Sequence, residues 1–172
     1  MSSKAQNSVP EINRLVIVGL GLIGSSLAIA AREQGLAKTV IGISRRTSTL
    51  ELALELGVID RACESLEFLA SELDFGDLVV IGVPTLSVPS VIAVCHDFLS
   101  DRVTITDVAS VKGSVVKAVL DIYGNLPVQF VPGHPIAGSE KSGVEAANSQ
   151  LFKDHRVILT PHNTADCAHL KL

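Results

Sequence analysis

The chain has 172 residues, which suits one domain of ordinary size, and 47% of them are hydrophobic, so a substantial core can form. Only 3% are aromatic, and the core must therefore be built mainly from Val, Ile, Leu and Ala. The formal net charge of −4 argues against a nucleic-acid partner, because such a partner usually requires a basic surface.

The N-terminal residues MSSKAQNSVPEIN are polar and do not form a secretory signal. No apolar run reaches the roughly 18 residues of a membrane span, so we expect no membrane partner. The three cysteines, Cys63, Cys95 and Cys167, lie far apart and form no CxxC pair, as is typical of free thiols in a reducing compartment. We therefore expect a cytoplasmic protein, with Cys63 and Cys95 buried in apolar helical segments.

Apolar, β-branched runs alternate with helical patterns along the chain. The runs predict strands at residues 14–19, 39–44, 77–84, 103–108, 128–133 and 155–161. Helical patterns occupy residues 22–35, residues 47–57 with Thr or Ser as N-cap and Gly57 as C-cap, a stretch that ends near residue 99, and residues 114–124. Such runs are typical of strands buried on both faces, and their alternation with helices predicts right-handed βαβ units. The sequence therefore predicts an α/β fold with a doubly wound, mostly parallel sheet.

The first predicted strand runs into the sequence VIVGLGLIG, in which Gly19, Gly21 and Gly24 have G-x-G-x-x-G spacing. This loop follows a predicted strand and opens the first predicted helix, which is the context that a dinucleotide-binding fold requires. There the first glycine permits a tight turn, the second lets backbone approach a pyrophosphate, and the third allows the helix to pack closely on the strand. Alternatively, the glycines merely turn a strand into a helix. The predicted phosphate loop comprises Gly19, Leu20, Gly21, Leu22, Ile23 and Gly24.

The second predicted strand ends in GISRRTS, where a dinucleotide-binding fold contacts the adenosine ribose. An acidic residue at this place would bond the 2′-hydroxyl of NAD, whereas arginine accommodates the 2′-phosphate of NADP. The segment has no carboxylate but contains Ser44, Arg45, Arg46 and Thr47. We predict that these residues bind the cofactor and favour NADP, with NAD possible. If the arginines are instead solvated surface charges, NAD could bind without an acidic partner.

Four segments together resemble the prephenate/arogenate (cyclohexadienyl) dehydrogenase family of tyrosine biosynthesis. They are VGLGLIGSSLA, GVP, TDVASVKG and GHPIAGSEKSGVEAA, and the resemblance runs from Arg14 to Pro161. The first segment is shared by many Rossmann proteins, and the last two are more specific. The resemblance implies a Rossmann-type dinucleotide-binding domain over residues 13–161, after a flexible tail over residues 1–12. Residues 162–172 would then start a linker to a C-terminal helical domain, most of which this chain lacks.

The resemblance also implies roles for individual residues. His134, in the G-H-P motif, matches the family's catalytic histidine, and Ser110 matches a serine that hydrogen-bonds that histidine and the substrate hydroxyl. Glu140 matches an acidic residue near the active-site entrance. Lys112 lies in the same motif as Ser110 and could steer an anionic substrate, although it could equally cap a helix start or be solvated. The turn that would lie beside the nicotinamide ribose comprises Val83, Pro84 and Thr85.

The stretch VPGHPIAGSEKSG, residues 131–143, is rich in glycine and proline, and we expect it to form neither a helix nor a strand. It would hold His134 at the C-terminal end of a predicted parallel strand, where open α/β sheets bind their ligands. A neutral imidazole at that place suits a general base near neutral pH. His155, His162 and His169 recur every seven residues, but this spacing fits no standard zinc pattern, and we expect no metal site.

The function implied by the resemblance is the NAD(P)-dependent oxidative decarboxylation of prephenate to 4-hydroxyphenylpyruvate, or of arogenate to tyrosine. The implied partners are that small-molecule substrate and, in a full-length form, a second copy held through the helical domain in a homodimer. Two alternatives stay open. One is a related β-hydroxyacid dehydrogenase, which the segment GHPIAGSE does not fit, and the other is a non-catalytic or truncated NAD(P)-binding module.

Overall fold

A computed structural model describes residues 12–161 and 169–170, so the predicted tail, apart from its last residue, and most of the predicted linker lie outside the described residues. The strands are β1 (Ile12–Val18), β2 (Ala37–Ile43), β3 (Arg61–Cys63), β4 (Leu78–Ile81), β5 (Thr104–Asp107), β6 (Phe130–Val131), β7 (Gly133–Pro135) and β8 (Val157–Leu159). The α-helices are α1 (Leu22–Glu33), α2 (Thr47–Glu55), α3 (Val88–Phe98) and α4 (Lys112–Tyr123). Short 3-10 turns occupy several of the connections.

Six strands form one parallel sheet in the order β3-β2-β1-β4-β5-β6. The chain moves outward from β1 to β3 and then returns to the other side of β1 with β4. The order therefore reverses between β1 and β4, and open α/β sheets bind ligands at such a point, outside the carboxyl ends of the strands. The predicted α/β fold with a doubly wound, mostly parallel sheet is confirmed.

The core is divided between the two faces of this sheet. On one face Val16, Ile41 and Val79 belong to a buried cluster with apolar residues of α3 and α4. On the other face Leu15 and Val40 belong to a buried cluster with apolar residues of α1 and α2. Successive residues of a strand point to opposite faces, so a strand covered on both sides must be apolar at every position. This explains why the central strands read as continuous runs in the sequence.

Several local details of strands, cysteines and helix caps can be compared with the sequence predictions. β3 was not predicted, because three residues that begin with an exposed arginine carry too little apolar pattern. Cys63 lies on this strand and is partly buried, so the prediction that it lies in a helix is wrong. Cys95 is buried in α3, as predicted, and burial raises the pKa of its thiol to about 12. The predicted Thr or Ser cap of α2 is also wrong, since Arg46 is the N-cap residue. Gly57 follows the C-cap residue with a φ of +65°, which favours glycine.

The largest difference concerns residues 131–143, which contain a strand. β7 pairs with β8 in a separate two-stranded antiparallel sheet, in which His134 lies opposite Ile158. The prediction that this stretch forms no strand is therefore wrong, and His134 does not end a parallel strand, because the parallel strand β6 stops at Val131. Proline is tolerated in edge strands, where it need not donate a ladder hydrogen bond, and both strands of a two-stranded sheet are edges.

Among the described residues, no helix is both long enough and apolar enough to cross a membrane. Within the same residues, no group of three or more His, Cys, Asp or Glu side chains could hold a metal ion. His169 is buried, and its Nδ1 lies 2.6 Å from Oγ1 of Thr104 at the start of β5. The chain after β8 therefore returns to the amino-terminal edge of the parallel sheet.

Candidate dinucleotide site and catalytic cleft

Gly19 follows β1 at the switch point and touches the residues that follow β4. Its φ is +101°, a conformation that other residues rarely adopt. A Cβ at this position would lie 2.8 Å from the carbonyl atoms of Gly82 and 2.9 Å from the nitrogen of Val83. The N–H of Gly82 in turn donates to the carbonyl oxygen of Val18 at 2.7 Å. The two loops thus meet backbone to backbone, and glycine is required for that contact.

The other two glycines of the motif differ in what surrounds them. A Cβ on Gly24 would lie 2.5 Å from the carbonyl oxygen of Gly19 and 2.8 Å from Cγ2 of Ile17, so glycine lets α1 pack on β1. A Cβ on Gly21, the N-cap residue of α1, would meet no heavy atom within 4 Å. The space beside Gly21 is therefore open. Of the remaining loop residues, Leu20 and Leu22 are buried and Ile23 is partly buried.

The N-terminus of α1 has the properties of an anion site. Helix geometry leaves the first N–H groups without partners inside the helix, and the helix dipole adds partial positive charge. Gly21 makes no side-chain cap, and the first turn contains no acidic residue. Together with the open space beside Gly21, these features fit the pyrophosphate of a dinucleotide.

The segment Ser44–Thr47 connects β2 to α2 beside the phosphate loop, since the N–H of Gly19 donates to the carbonyl oxygen of Ile43 at 2.9 Å. Ser44 is partly buried, and its Oγ accepts a hydrogen bond of 3.2 Å from the backbone N–H of Arg46. Arg45, Arg46 and Thr47 are exposed, and neither arginine forms an ion pair within residues 12–161 and 169–170. Two uncompensated cations therefore lie near the carboxyl end of β2.

Val83, Pro84 and Thr85 lie on the other side of the switch point, between β4 and α3. Val83 and Thr85 are partly buried, whereas Pro84 is exposed and has an extended backbone that precedes a 3-10 turn. The N–H of Val108 donates to the carbonyl oxygen of Ile81 at 3.2 Å, which joins the ends of β4 and β5. The predicted nicotinamide turn thus lies between the phosphate loop and the segment that follows β5.

Asp107, the last residue of β5, was not predicted as a site residue, yet it joins three segments of this edge. Its side chain is fully buried, and its Oδ1 accepts a hydrogen bond of 3.2 Å from the N–H of Gly133. Its Oδ2 accepts a bond of 3.0 Å from the N–H of Ala109 and another from the ammonium of Lys112. The aspartate that ends the apolar run VTITD was the available signal, because a buried carboxylate needs partners.

His134 follows Gly133 and is partly buried. Residues directly opposite in an antiparallel pair share a face, so His134 and Ile158 lie on one face of the small sheet. Pro135, Val157 and Leu159 lie on the other face, where they line an apolar groove of about 290 Å³ against α1 and β4. The histidine therefore faces away from this groove.

The other predicted substrate-site residues, Ser110, Lys112 and Glu140, differ in their exposure and in whether they contact Asp107. Ser110 is exposed in the loop between β5 and α4, and no hydrogen bond joins it to His134 among the described residues. Lys112 begins α4 with its ammonium on Asp107, and its side chain is only 19% exposed. Glu140 is exposed in the loop after β7. The structure thus brings Lys112, the N–H of Ala109 beside Ser110 and the N–H of Gly133 beside His134 together around one carboxylate, and it leaves Glu140 in an exposed loop.

A parallel sheet in this order, with a glycine loop and an uncapped helix N-terminus at its switch point, defines a Rossmann-type dinucleotide-binding domain. Residues 27–172 match the family described as "Prephenate dehydrogenase, nucleotide-binding domain". The chain belongs to this family, and the resemblance found in the sequence is confirmed. The match begins within α1, so the phosphate loop precedes the matched residues.

Relatives in the family cover most of this chain. This chain is 38% identical to the cyclohexadienyl dehydrogenase of Zymomonas mobilis over 148 aligned residues. The alignment covers 86% of this chain and 48% of that protein. This chain is also 35% identical to the prephenate dehydrogenase of Bacillus subtilis over 152 aligned residues, which are 88% of this chain and 40% of that protein. A prephenate dehydrogenase from A. aeolicus, crystallised with hydroxyphenyl propionate and NAD+, superposes with a TM-score of 0.83 at 33% identity, over 94% of this chain and 55% of that chain. The chain thus spans about half, or less, of the length of these relatives.

Proposed function

We propose that this chain is the dinucleotide-binding part of an oxidoreductase that decarboxylates prephenate or arogenate oxidatively with NAD(P). The observation that carries the proposal is the position of His134. It lies on β7, and the residue before it is hydrogen-bonded to Asp107 at the carboxyl edge of the sheet, where the phosphate loop also opens. A proton acceptor and a dinucleotide site on one edge are what the oxidation of an alcohol requires.

Three segments at this edge would hold the cofactor. The phosphate loop and the N-terminus of α1 would bind the pyrophosphate, Ser44–Thr47 the adenosine end, and Val83–Thr85 the nicotinamide end. These segments follow β1, β2 and β4, so an elongated ligand would cross the switch point. When bound, the nicotinamide supplies the acceptor for a hydride.

The substrate carries a hydroxyl on ring carbon C4 and a carboxylate on the quaternary carbon opposite. As C4 loses its hydrogen with the bonding electron pair, the hydroxyl must lose a proton for a carbonyl to form. The imidazole of His134 takes this proton, and general-base help of this kind is typically worth ~10²–10⁴ in rate. Loss of CO2 then sends the electron pair of the broken C–C bond through the ring to the carbonyl oxygen. That oxygen takes the proton back as the ring becomes aromatic, while the hydroxyl of Ser110 orients the substrate or the imidazole.

We propose that the chain prefers NADP, with NAD as the alternative, because Arg45 and Arg46 form no ion pair among the described residues. Replacing both with alanine should weaken NADP+ binding at least about tenfold, since hydrogen bonds to charged groups contribute about 1.5–3 kcal/mol each. The affinity for NAD+ should change little, because NAD+ lacks the 2′-phosphate. Isothermal titration calorimetry with each dinucleotide measures both constants.

The matched control for this pair is Arg102→Ala/Lys117→Ala, which removes the same charge from two exposed residues that are each paired with an aspartate. This variant should bind NADP+ within about threefold of the unmodified chain, because both residues are already paired with an aspartate and neither lies in the segment proposed to bind the adenosine end. Equal affinity of the unmodified chain for NADP+ and NAD+ would show that the arginines do not select the cofactor.

The proposed division of labour assigns the remaining substrate contacts and the homodimer contacts to a helical domain that follows the linker. Ile136, Ile158 and Leu159 are large apolar side chains that stay 44–49% exposed around the small sheet, with Ile158 and Leu159 on its opposite faces, and we propose that the helical domain covers part of this sheet. A cytoplasmic location is proposed on the cysteines alone, because Cys63 and Cys95 are free thiols.

The proposed reaction is tested by comparing the 172-residue chain with a fusion to the C-terminal portion of the Zymomonas mobilis relative. We expect the chain alone to bind dinucleotide but to reduce it hardly at all with prephenate or arogenate, because substrate orientation can be worth about 7–11 kcal/mol of a barrier. The fusion should restore turnover, which is followed by absorbance at the reduced nicotinamide band. Comparable kcat/KM in both forms would overturn the division of labour. A fusion that binds dinucleotide but oxidises neither substrate would overturn the proposed function.

A further inference from the structure

We propose that Asp107 is a positioning residue, which holds the backbone before His134 and the loop that carries Ser110 in one fixed arrangement. This inference rests on the proposed function for its catalytic meaning. Its geometric content, that one carboxylate fixes the place of His134, stands apart from the identity of the substrate.

The contacts of Asp107 divide between its two oxygens. Within residues 12–161 and 169–170, Oδ1 accepts only the N–H of Gly133, the residue before His134, at 3.2 Å. Oδ2 accepts the N–H of Ala109, the residue before Ser110, at 3.0 Å, together with the ammonium of Lys112. The two predicted catalytic residues share no hydrogen bond among the described residues, whereas the side chain of Asp107 is bonded to both of their segments.

Packing around Gly133 leaves little freedom to replace this link. A Cβ on Gly133 would lie 2.8 Å from the carbonyl oxygen of Asp107 and 3.0 Å from Oγ1 of Thr106, so β7 lies directly against the end of β5. Thr106 itself donates from Oγ1 to the carbonyl oxygen of Val131 at 2.7 Å. Because β7 belongs to a separate two-stranded sheet, these contacts with β5, together with the short connection from β6, hold His134 in place relative to the parallel sheet.

Asparagine at position 107 would break the link selectively. Its side chain has the shape of aspartate but offers one acceptor oxygen and one donating NH2. The oxygen should stay on the side of Lys112, where it faces a cation, and the NH2 would then face the N–H of Gly133. Two donors would meet, so Gly133 and His134 should move away from β5.

Asp77 provides a matched control at the opposite edge of the sheet. Like Asp107 it is 1% exposed, and it accepts hydrogen bonds of 2.9–3.0 Å from the backbone N–H and guanidinium of Arg14 and from the N–H of Asp74. It directly precedes β4 and therefore lies at the amino-terminal edge, away from His134. Asp77→Asn should cost stability of the same order as Asp107→Asn without disturbing the site.

The experiment uses NMR on the 172-residue chain, so it does not depend on turnover. In Asp107→Asn we expect the amide of Gly133 to exchange with solvent at least about tenfold faster, as for a lost buried hydrogen bond, and the imidazole signals of His134 to shift. Dinucleotide affinity should stay within about threefold, because the phosphate loop is not bonded to Asp107. In the fusion, kcat should fall with the KM for dinucleotide unchanged. In Asp77→Asn the Gly133 and His134 signals should stay where they are.

A second variant covers the case in which Asp107→Asn does not fold because Lys112 is left without its partner. Asp107→Asn/Lys112→Met removes both charges and should recover stability, yet Gly133 should still exchange fast. Lys112→Met alone keeps the carboxylate and should leave Gly133 protected. Protection of Gly133 and unshifted His134 signals in the variants at position 107, or equal changes in Asp77→Asn, would overturn the positioning role.

Discussion

Replacing His134 with asparagine in the fusion is expected to lower kcat by ~10²–10⁴, the usual contribution of general acid–base catalysis. Asparagine keeps a polar side chain of similar reach, but it cannot accept a proton near neutral pH. The affinity for dinucleotide should stay nearly unchanged, because the phosphate loop follows β1 and His134 lies on the separate small sheet. Steady-state kinetics with prephenate and arogenate, together with calorimetric titration of the dinucleotide, measure the two quantities.

The matched control is His155→Asn, since His155 is exposed and its Nδ1 lies 2.8 Å from the carbonyl oxygen of Lys153, two residues earlier in the chain. This variant should keep both turnover and cofactor affinity. If His134→Asn retained near-normal turnover at neutral pH, the imidazole would not be the base. If instead both variants lost cofactor binding, the loss would reflect folding and not chemistry.

Adding one methyl group to Gly24 is expected to lower mainly the stability of the fold, whereas adding one to Gly21 is expected to lower mainly the affinity for dinucleotide. Gly24→Ala should lower the free energy of unfolding by at least about 1–3 kcal/mol, because the new Cβ would overlap the carbonyl oxygen of Gly19 and the side chain of Ile17. Gly21→Ala should cost no more than about 1 kcal/mol, since its Cβ enters open space and only the cap is weakened. The same methyl should nevertheless weaken dinucleotide binding at least about tenfold, which is about 1.4 kcal/mol, because it fills the space proposed for the pyrophosphate.

Urea unfolding and calorimetric titration of the two variants distinguish these effects. Each variant serves as the control of the other, because both make the same chemical change within one loop. Gly21→Ala with unchanged dinucleotide affinity would show that the pyrophosphate does not approach this residue. Equal losses of stability would show that the open space beside Gly21 does not persist in solution.

Much of the fold could be predicted because parallel strands leave a strong signal. Continuous aliphatic runs marked β1, β2, β4 and β5, and the glycines marked the turn from β1 into α1. β3 and β7 were not predicted, because three residues are too few to show a periodic pattern. For β7, the prolines on either side of Gly133 and His134 also argued against a strand. The strand conformation of β3 and β7 comes from tertiary pairing, with β2 and with β8 respectively.

The candidate site was predicted as separate motifs but not as an arrangement. The resemblance marked Ser110 and His134, which are read from short segments of sequence. Asp107 escaped because its role exists only after folding, when a carboxylate at the end of β5 meets an N–H from β7. The pairing of Lys112 with Asp107 likewise depends on the turn into α4, so a lysine that could steer a substrate proved to be held by an aspartate.

The order of the parallel sheet also constrains how the chain reaches its native state. β1 lies in the middle, yet its second neighbour, β4, is reached only after two intervening strands and two helices. During synthesis from the N-terminus, one side of β1 stays open until Ile81 has emerged, and an unpaired apolar edge is prone to associate with other chains. Such long loop closures make folding slow. The phosphate loop is therefore synthesised long before β7 and β8, and the small sheet that carries His134 can pair only after Leu159 has emerged.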